Sequence, residues 1–180
     1  MWVKELNDRF HEHAIGYQYS NGHIVRVDSD FIHAEVVVPA LTLLSSQDFS
    51  GAEQEFRIAH KYYREQEYKE AIANASKAFE STMKTICDKL EWTYDKQRAN
   101  ASDLIKIVLD NELIPRYLET HLSGLKSLLV STTTIRNRSS GHGQGAEPSY
   151  VPEYLAGYAL HITASNIVFL VEAYKNKQSS

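Results

Sequence analysis

Between Tyr68 and Leu90 the apolar residues Tyr68, Ala71, Ile72, Ala75, Ala78, Phe79, Met83, Ile86 and Leu90 recur at spacings of three and four. That interval is the period of an α-helix, and it persists for about six turns. It predicts a central core helix. Shorter stretches repeat the pattern: Ala52, Phe56, Ala59 and Tyr63; Leu104, Ile107 and Val108; Leu118, His121, Leu122, Leu125 and Leu129. Leu155, Tyr158, Ala159, Ile162, Ile167 and Leu170 mark a long final helix. The chain therefore reads as all-α, a bundle of five or six helices.

Boundary signals divide these stretches. Ser50-Gly51-Ala52-Glu53 reads as a capping box, with Phe49 outside it as a staple residue. A polar break falls near Gln66, Asn100 or Ser102 opens the next helix, and Pro115 suits a first turn. The run Ser131 to Thr134 is expected to end the following helix, and Pro148 and Pro152 restart the chain. Ahead of the bundle, Trp2, Leu6 and Phe10 suggest a short amphipathic helix. Two β-prone runs around Asn21-Gly22 suggest a β-hairpin near residues 15 to 27. Asp28 or Ser29 can cap a further helix that Pro39 should kink. The expected division is an N-terminal appendage over 1–48 and a helical domain over 49–177, with no tandem repeat.

Composition narrows the function. With 180 residues, 43% apolar and 11% aromatic, the chain suits one folded domain with a sizeable core. No uninterrupted apolar run approaches the ~18–20 residues of a membrane span, so no membrane partner is expected. The opening residues lack a signal-peptide pattern, and the lone Cys87 excludes a disulfide framework and packs in the core helix. These features fit a cytoplasmic setting. A formal charge of −4 argues against a protein that coats nucleic acid through broad phosphate contact. Between residues 116 and 145, however, Arg116, Lys126, Arg136 and Arg138 face Glu119 alone, a locally positive stretch.

That stretch contains Ile135-Arg136-Asn137-Arg138-Ser139-Ser140-Gly141-His142-Gly143-Gln144-Gly145. It is expected as a loop between two apolar helices. Arginine is a permanent cation whose donor fork suits phosphate, and histidine exchanges a proton near neutral pH. Alternating glycines allow backbone N–H groups to approach an anion. On composition alone the same loop is an ordinary solvated connection. The order Arg136-Asn137, four residues, His142 favours RNA or nucleotide chemistry.

Here the sequence resembles the HEPN superfamily, whose signature is Arg, often Asn next, four to six residues and then His. Residues 68–84 look like that family's first long helix. RNRSSGHGQG together with VPEYLAGYALHITASNIVFLVEAY resembles the abortive-infection (Abi) C-terminal domains of bacterial phage-defence proteins. The HEPN-like part covers roughly residues 50 to 175, and the preceding segment also resembles sequence found ahead of that domain. The Gly-rich surround of His142 departs from the usual pattern. The resemblance implies a metal-independent endoribonuclease acting on RNA from a composite site in a homodimer, with Arg136, Asn137 and His142 as catalytic residues. Glu80, Lys84, Arg138, Gly141 and Gly143 are supporting or RNA-binding candidates. For Glu80 a solvated or salt-bridged helix face is the competing reading, and for Arg138 a plain surface charge.

Other patterns carry less. His11-Glu12-His13 lacks the second half of a zinc site, and His23 and His33 show no ligand spacing, so no metal or cofactor is expected. Gly141 to Gly145 is neither a P-loop nor a dinucleotide fingerprint. Tyr62, Tyr63 and Tyr68 read as core or interface residues. Alternatives to a nuclease are a non-catalytic dimerisation or RNA-binding module and a nucleotide-sensing domain of a larger protein. A neutralising partner or a fused upstream domain is compatible with all of them.

Overall fold

The computed structural model describes residues 3–6, 9, 17–20, 23–26, 36–46, 49–140 and 151–179; for 17–20, 23–26, 46 and 130–140 it describes the backbone alone. The amphipathic stretch around Trp2 and Phe10 and the Asp28/Ser29 cap lie outside these residues, although residues 3–6 are helical. Strand β1 (Tyr17–Ser20) pairs antiparallel with β2 (His23–Arg26), Tyr17 opposite Arg26 and Ser20 opposite His23.

Among the described residues six α-helices follow: α1 (Val38–Ser46), α2 (Ser50–Arg64), α3 (Tyr68–Lys89), α4 (Ala101–Asp110), α5 (Glu119–Ser140) and α6 (Glu153–Gln178). A 3₁₀ turn, Arg116–Leu118, leads into α5. The protein is predominantly helical, and the core is built around α3, which packs against α2, α4, α5 and α6. Its apolar stripe is fully used: Ala71, Ile72, Ala75, Ala78, Met83, Ile86 and Cys87 are inaccessible to solvent. Pro39 is the second residue of α1, which directly follows a π-helical stretch at Val36 and Val37.

Two boundaries differ from expectation. Phe49, not Ser50, precedes the first residue of α2, and no side chain caps that end. The reason is packing. Phe49 is completely buried against the edge of the Tyr174 ring, with centroids 6.0 Å apart, and its N–H donates to Leu44 O. Fixing Phe49 there draws Ser50 into the first turn, and Glu53 pairs with Arg57 at 2.8 Å instead of reaching back. By contrast Asn100 does cap α4. Its Oδ1 accepts the Ser102 N–H at 2.8 Å, and Asp103 accepts the Asn100 N–H at 3.0 Å.

The second difference bears on function. Helix α5 does not end at Ser131–Thr134 but continues to Ser140. Serine and threonine cost only a few tenths of a kcal/mol each within a helix, and the first strong breaker after them is Gly141.

Contacts fix the helix directions. The Tyr63 hydroxyl donates to Glu153 at 3.4 Å, so α6 begins beside the α2–α3 turn; Lys177 lies 6.0 Å from the Trp92 ring, so α6 ends just past the end of α3. Residues Glu112 to Pro115 border the last turns of α6, whereas Leu118 and His121 border its middle, Ile162 to Phe169. Helix α5 thus runs antiparallel to α6, toward the end of the bundle where α6 starts.

Over 18 residues α6 reaches a mean hydropathy of 1.4, enough in length and composition to cross a bilayer. Glycine, alanine, serine and asparagine interleave its large apolar residues, which is why no uninterrupted run reveals this. Half of that window is buried in the bundle.

Two substitutions test this architecture. Phe79→Ala, in the most enclosed part of α3, should lower unfolding free energy by about 3–5 kcal/mol in urea titrations. Asn100→Ala, at an exposed helix start, should cost about 1 kcal/mol.

Candidate functional site

Arg136, Asn137 and Arg138 lie on the helical backbone of the last turns of α5, not in a loop. Cations near a helix C-terminus are favoured by the partial negative charge of its free carbonyls. Arg136 and Ser140 are four positions apart, about one turn of the helical backbone. Gly141, His142 and Gly143 lie outside the described residues, as do His11, Glu12, His13 and His33. Where α6 begins, a cleft of about 530 Å³ opens between Gln66–Glu70 and Val151 and Glu153. Gln66 turns the chain there with φ 63°, a left-handed conformation that costs a non-glycine residue energy. Tyr63 and Tyr68 stand together beside this end, ring centroids 5.6 Å apart. Burial and the neighbouring Glu153 carboxylate both hold the Tyr63 phenol above its ordinary pKa, so it remains a donor.

Glu80 and Lys84 sit one helical turn apart on α3, both half-buried. The Ala101 N–H, at the start of α4, donates to the Glu80 carboxylate. Lys84 and Lys126 supply positive charge, and Glu55 adds a second carboxylate nearby. Lys126 in turn donates to Ser102 Oγ. This polar cluster ties α3, α4 and α5 together at the level of Lys126. That is ten residues before Arg136, or about 15 Å along the helix axis. Glu55 Oε2 is buried without a hydrogen-bond partner among the described residues.

A second polar pair sits between α5 and α6. Asn166 is 3% exposed, and its Nδ2 donates to Ile162 O at 2.8 Å. Its Oδ1 is therefore the acceptor that faces His121 Nε2, 3.0 Å away, and fixes the proton on that nitrogen. The sequence contained a signal for this pair: Asn166 interrupts the apolar stripe of α6, and a buried amide requires a partner. Lys126, Ser102 and Glu55 gave no such signal, being common surface residues on exposed-looking positions.

Cys87 is fully enclosed, and burial, with Asp88 second, pushes its thiol up to about 11, which removes it as a nucleophile at neutral pH. Among the described residues no three His, Cys, Asp or Glu side chains converge as metal ligands.

The Glu80 environment has a measurable consequence. Burial, with a smaller contribution from Glu55, outweighs Lys84, the Ala101 N–H and Lys126, so the carboxyl pKa is raised. A carboxyl that binds its proton more tightly when folded adds stability at low pH, and that stability is lost as pH rises through the raised value. Glu80→Gln, which keeps the shape without the titration, should therefore lose less melting temperature than the native protein between pH 4 and pH 7. A parallel pH dependence in both would show that Glu80 titrates normally.

Neither a curated protein nor a solved structure matches the chain. A family model described as an HEPN-like domain, Abi_C, matches residues 50–174, from the first residue of α2 to the last turn of α6. That match covers more than half of the 180 residues, and the chain belongs to the Abi_C family of HEPN-like domains.

Proposed function

We propose that this chain is a metal-independent endoribonuclease effector of a bacterial abortive-infection defence system. The observation that carries the reading is the order Arg136-Asn137…His142 at the junction of α5 and α6 in a member of an HEPN-like family. The proposed reaction is attack of a ribose 2′-oxygen on the adjacent phosphorus, with rupture of the bond from phosphorus to the 5′-oxygen. A base takes the 2′-OH proton and an acid delivers one to the departing 5′-oxygen. The products are a 2′,3′-cyclic phosphate and a free 5′-OH.

His142 is the proton-transfer group, a role contributing on the order of 10²–10⁴ in rate. Arg136 holds the non-bridging oxygens as charge builds on them, and Asn137 orients the phosphate or the imidazole. Arg138 and the backbone at Gly141 and Gly143 assist in binding RNA. Glu80 and Lys84 act at a distance, by holding the register of α3 against α4 and α5. One histidine does not readily serve as acid and base in the same step, so two copies of the motif, brought together by a two-fold axis, complete the site. A neutralising partner or an appended domain would control it.

Three measurements test the reading. RNA should be cleaved in EDTA and leave cyclic phosphate ends, while DNA, which lacks the 2′-OH, survives. His142→Ala should abolish cleavage with RNA affinity and melting temperature nearly unchanged; unfolding of that variant would make the histidine structural. Arg136→Ala should reduce cleavage and affinity together, since it removes a charge-assisted phosphate contact of about 1.5–3 kcal/mol. Activity lost in EDTA and restored by magnesium would refute the mechanism.

A further inference from the structure

Lys177, in the last turn of α6, brings three helix ends together. Its Nζ donates to Asn111 O, directly after α4, at 3.1 Å, and lies 6.0 Å from the ring of Trp92, just past α3. The C-termini of α3, α4 and α6 therefore share one end of the bundle. Each helix C-terminus carries a partial negative charge from carbonyls that lack a partner within the helix. Beside them a hollow of about 490 Å³ opens between Glu112–Pro115 and the stretch of α6 from Phe169 to Lys177. Leu113, Ile114, Pro115, Phe169 and Ala173 supply its apolar lining, and Phe169 is 37% exposed.

Glutamates stand where two of these helices end. The Trp92 N–H donates to Cys87 O at 2.8 Å and the Leu113 N–H to Val108 O at 2.9 Å, closing the same turn at each end. The residue inside each turn is left-handed, Glu91 at φ 56° and Glu112 at φ 54°. Glycine commonly fills that place, because a side chain there costs energy. A carboxylate is doubly unfavourable, since it also meets the negative end of the helix. Both glutamates are exposed, and neither carboxylate has an ion-pair or hydrogen-bond partner among the described residues. Cations beside them are engaged elsewhere: Lys96 with Asp88 and Arg116 with Asp110, both at 2.8 Å, and Lys175 with Glu172 at 3.1 Å.

We propose that this end of the bundle docks a segment of another protein in which an apolar side chain is flanked by arginine or lysine. The apolar side chain enters the hollow against Phe169 and Ala173. The flanking cations meet Glu112, Glu91 and the free carbonyls of α3 and α4, contacts that are strong because they are charge-assisted. Charge selects this occupant. An acidic segment or a polyanion would be repelled, and a purely apolar one would leave both glutamates unpaired. Helix α5 starts at this end and reaches Arg136 about 25 Å farther along its axis, so a segment docked here leaves that end uncovered. Docking is thus independent of the nuclease reading.

Trp2→Phe leaves Trp92 as the sole tryptophan, next to the hollow. Its emission should respond to a capped peptide of one leucine between two pairs of arginines, with a dissociation constant below about 1 mM. Glycine in place of the leucine, or glutamate in place of the arginines, should weaken binding at least tenfold. So should Phe169→Ala in the protein, and so should Glu91→Gly combined with Glu112→Gly. The glycine pair should also raise the melting temperature by roughly 3–8 °C, because it relieves both left-handed turns. A lowered melting temperature would make the glutamates supports of their own helix ends and overturn the proposal. A peptide that does not bind, or whose binding either change leaves unaltered, would overturn it too. A native dimer that Phe169→Ala or the glycine pair dissociates in sedimentation equilibrium would make the occupant a second copy and the partner segment wrong.

Discussion

Helix α3 touches four other helices, and close approach from so many directions depends on how little side chain it carries on its crowded sides. Ala71, Ala73, Ala75 and Ala78 are buried along its first half. The large residues Phe79, Met83 and Ile86 are buried in its second half. Interiors are packed at crystal-like density, so these small and large positions set the distances between helices. A leucine in place of Ala75 would push α2 or α6 outward, and everything held by those helices would move with them. The α2–α3 turn, the start of α6 and the direction of α5 all derive from this one packed helix.

The polar groups sort themselves around that core in two ways. Glu80, Lys84, Lys126 and the start of α4 form a cluster in which the cations and a backbone N–H offset the cost of burying a carboxylate. Such a cluster adds little net stability, because desolvation cancels much of the attraction, but it penalises any slip of α5 along α3. The His121–Asn166 pair does the same between α5 and α6 with neutral groups. Together they fix the register of α5 against its neighbours.

How much of this was legible in the sequence follows from which forces leave a pattern. The apolar periodicity of α3 and α6 announced both helices, because a buried stripe must repeat at the helical period. Asn100 was readable as a cap, since a side-chain oxygen ahead of an amphipathic run has few other uses. The Ser50 capping box misled because the sequence pattern does not reveal that Phe49 is more strongly required in the core. The end of α5 was misjudged at Ser131–Thr134 for a related reason. Propensity is a weak prior, and four poor helix formers cost less than tertiary packing of Leu122, Leu125 and Leu129 returns. The membrane-like hydropathy of α6 escaped notice because it is spread among small residues. Of the candidate site, the residue types were visible in the sequence; the helical setting of Arg136 to Arg138 was not.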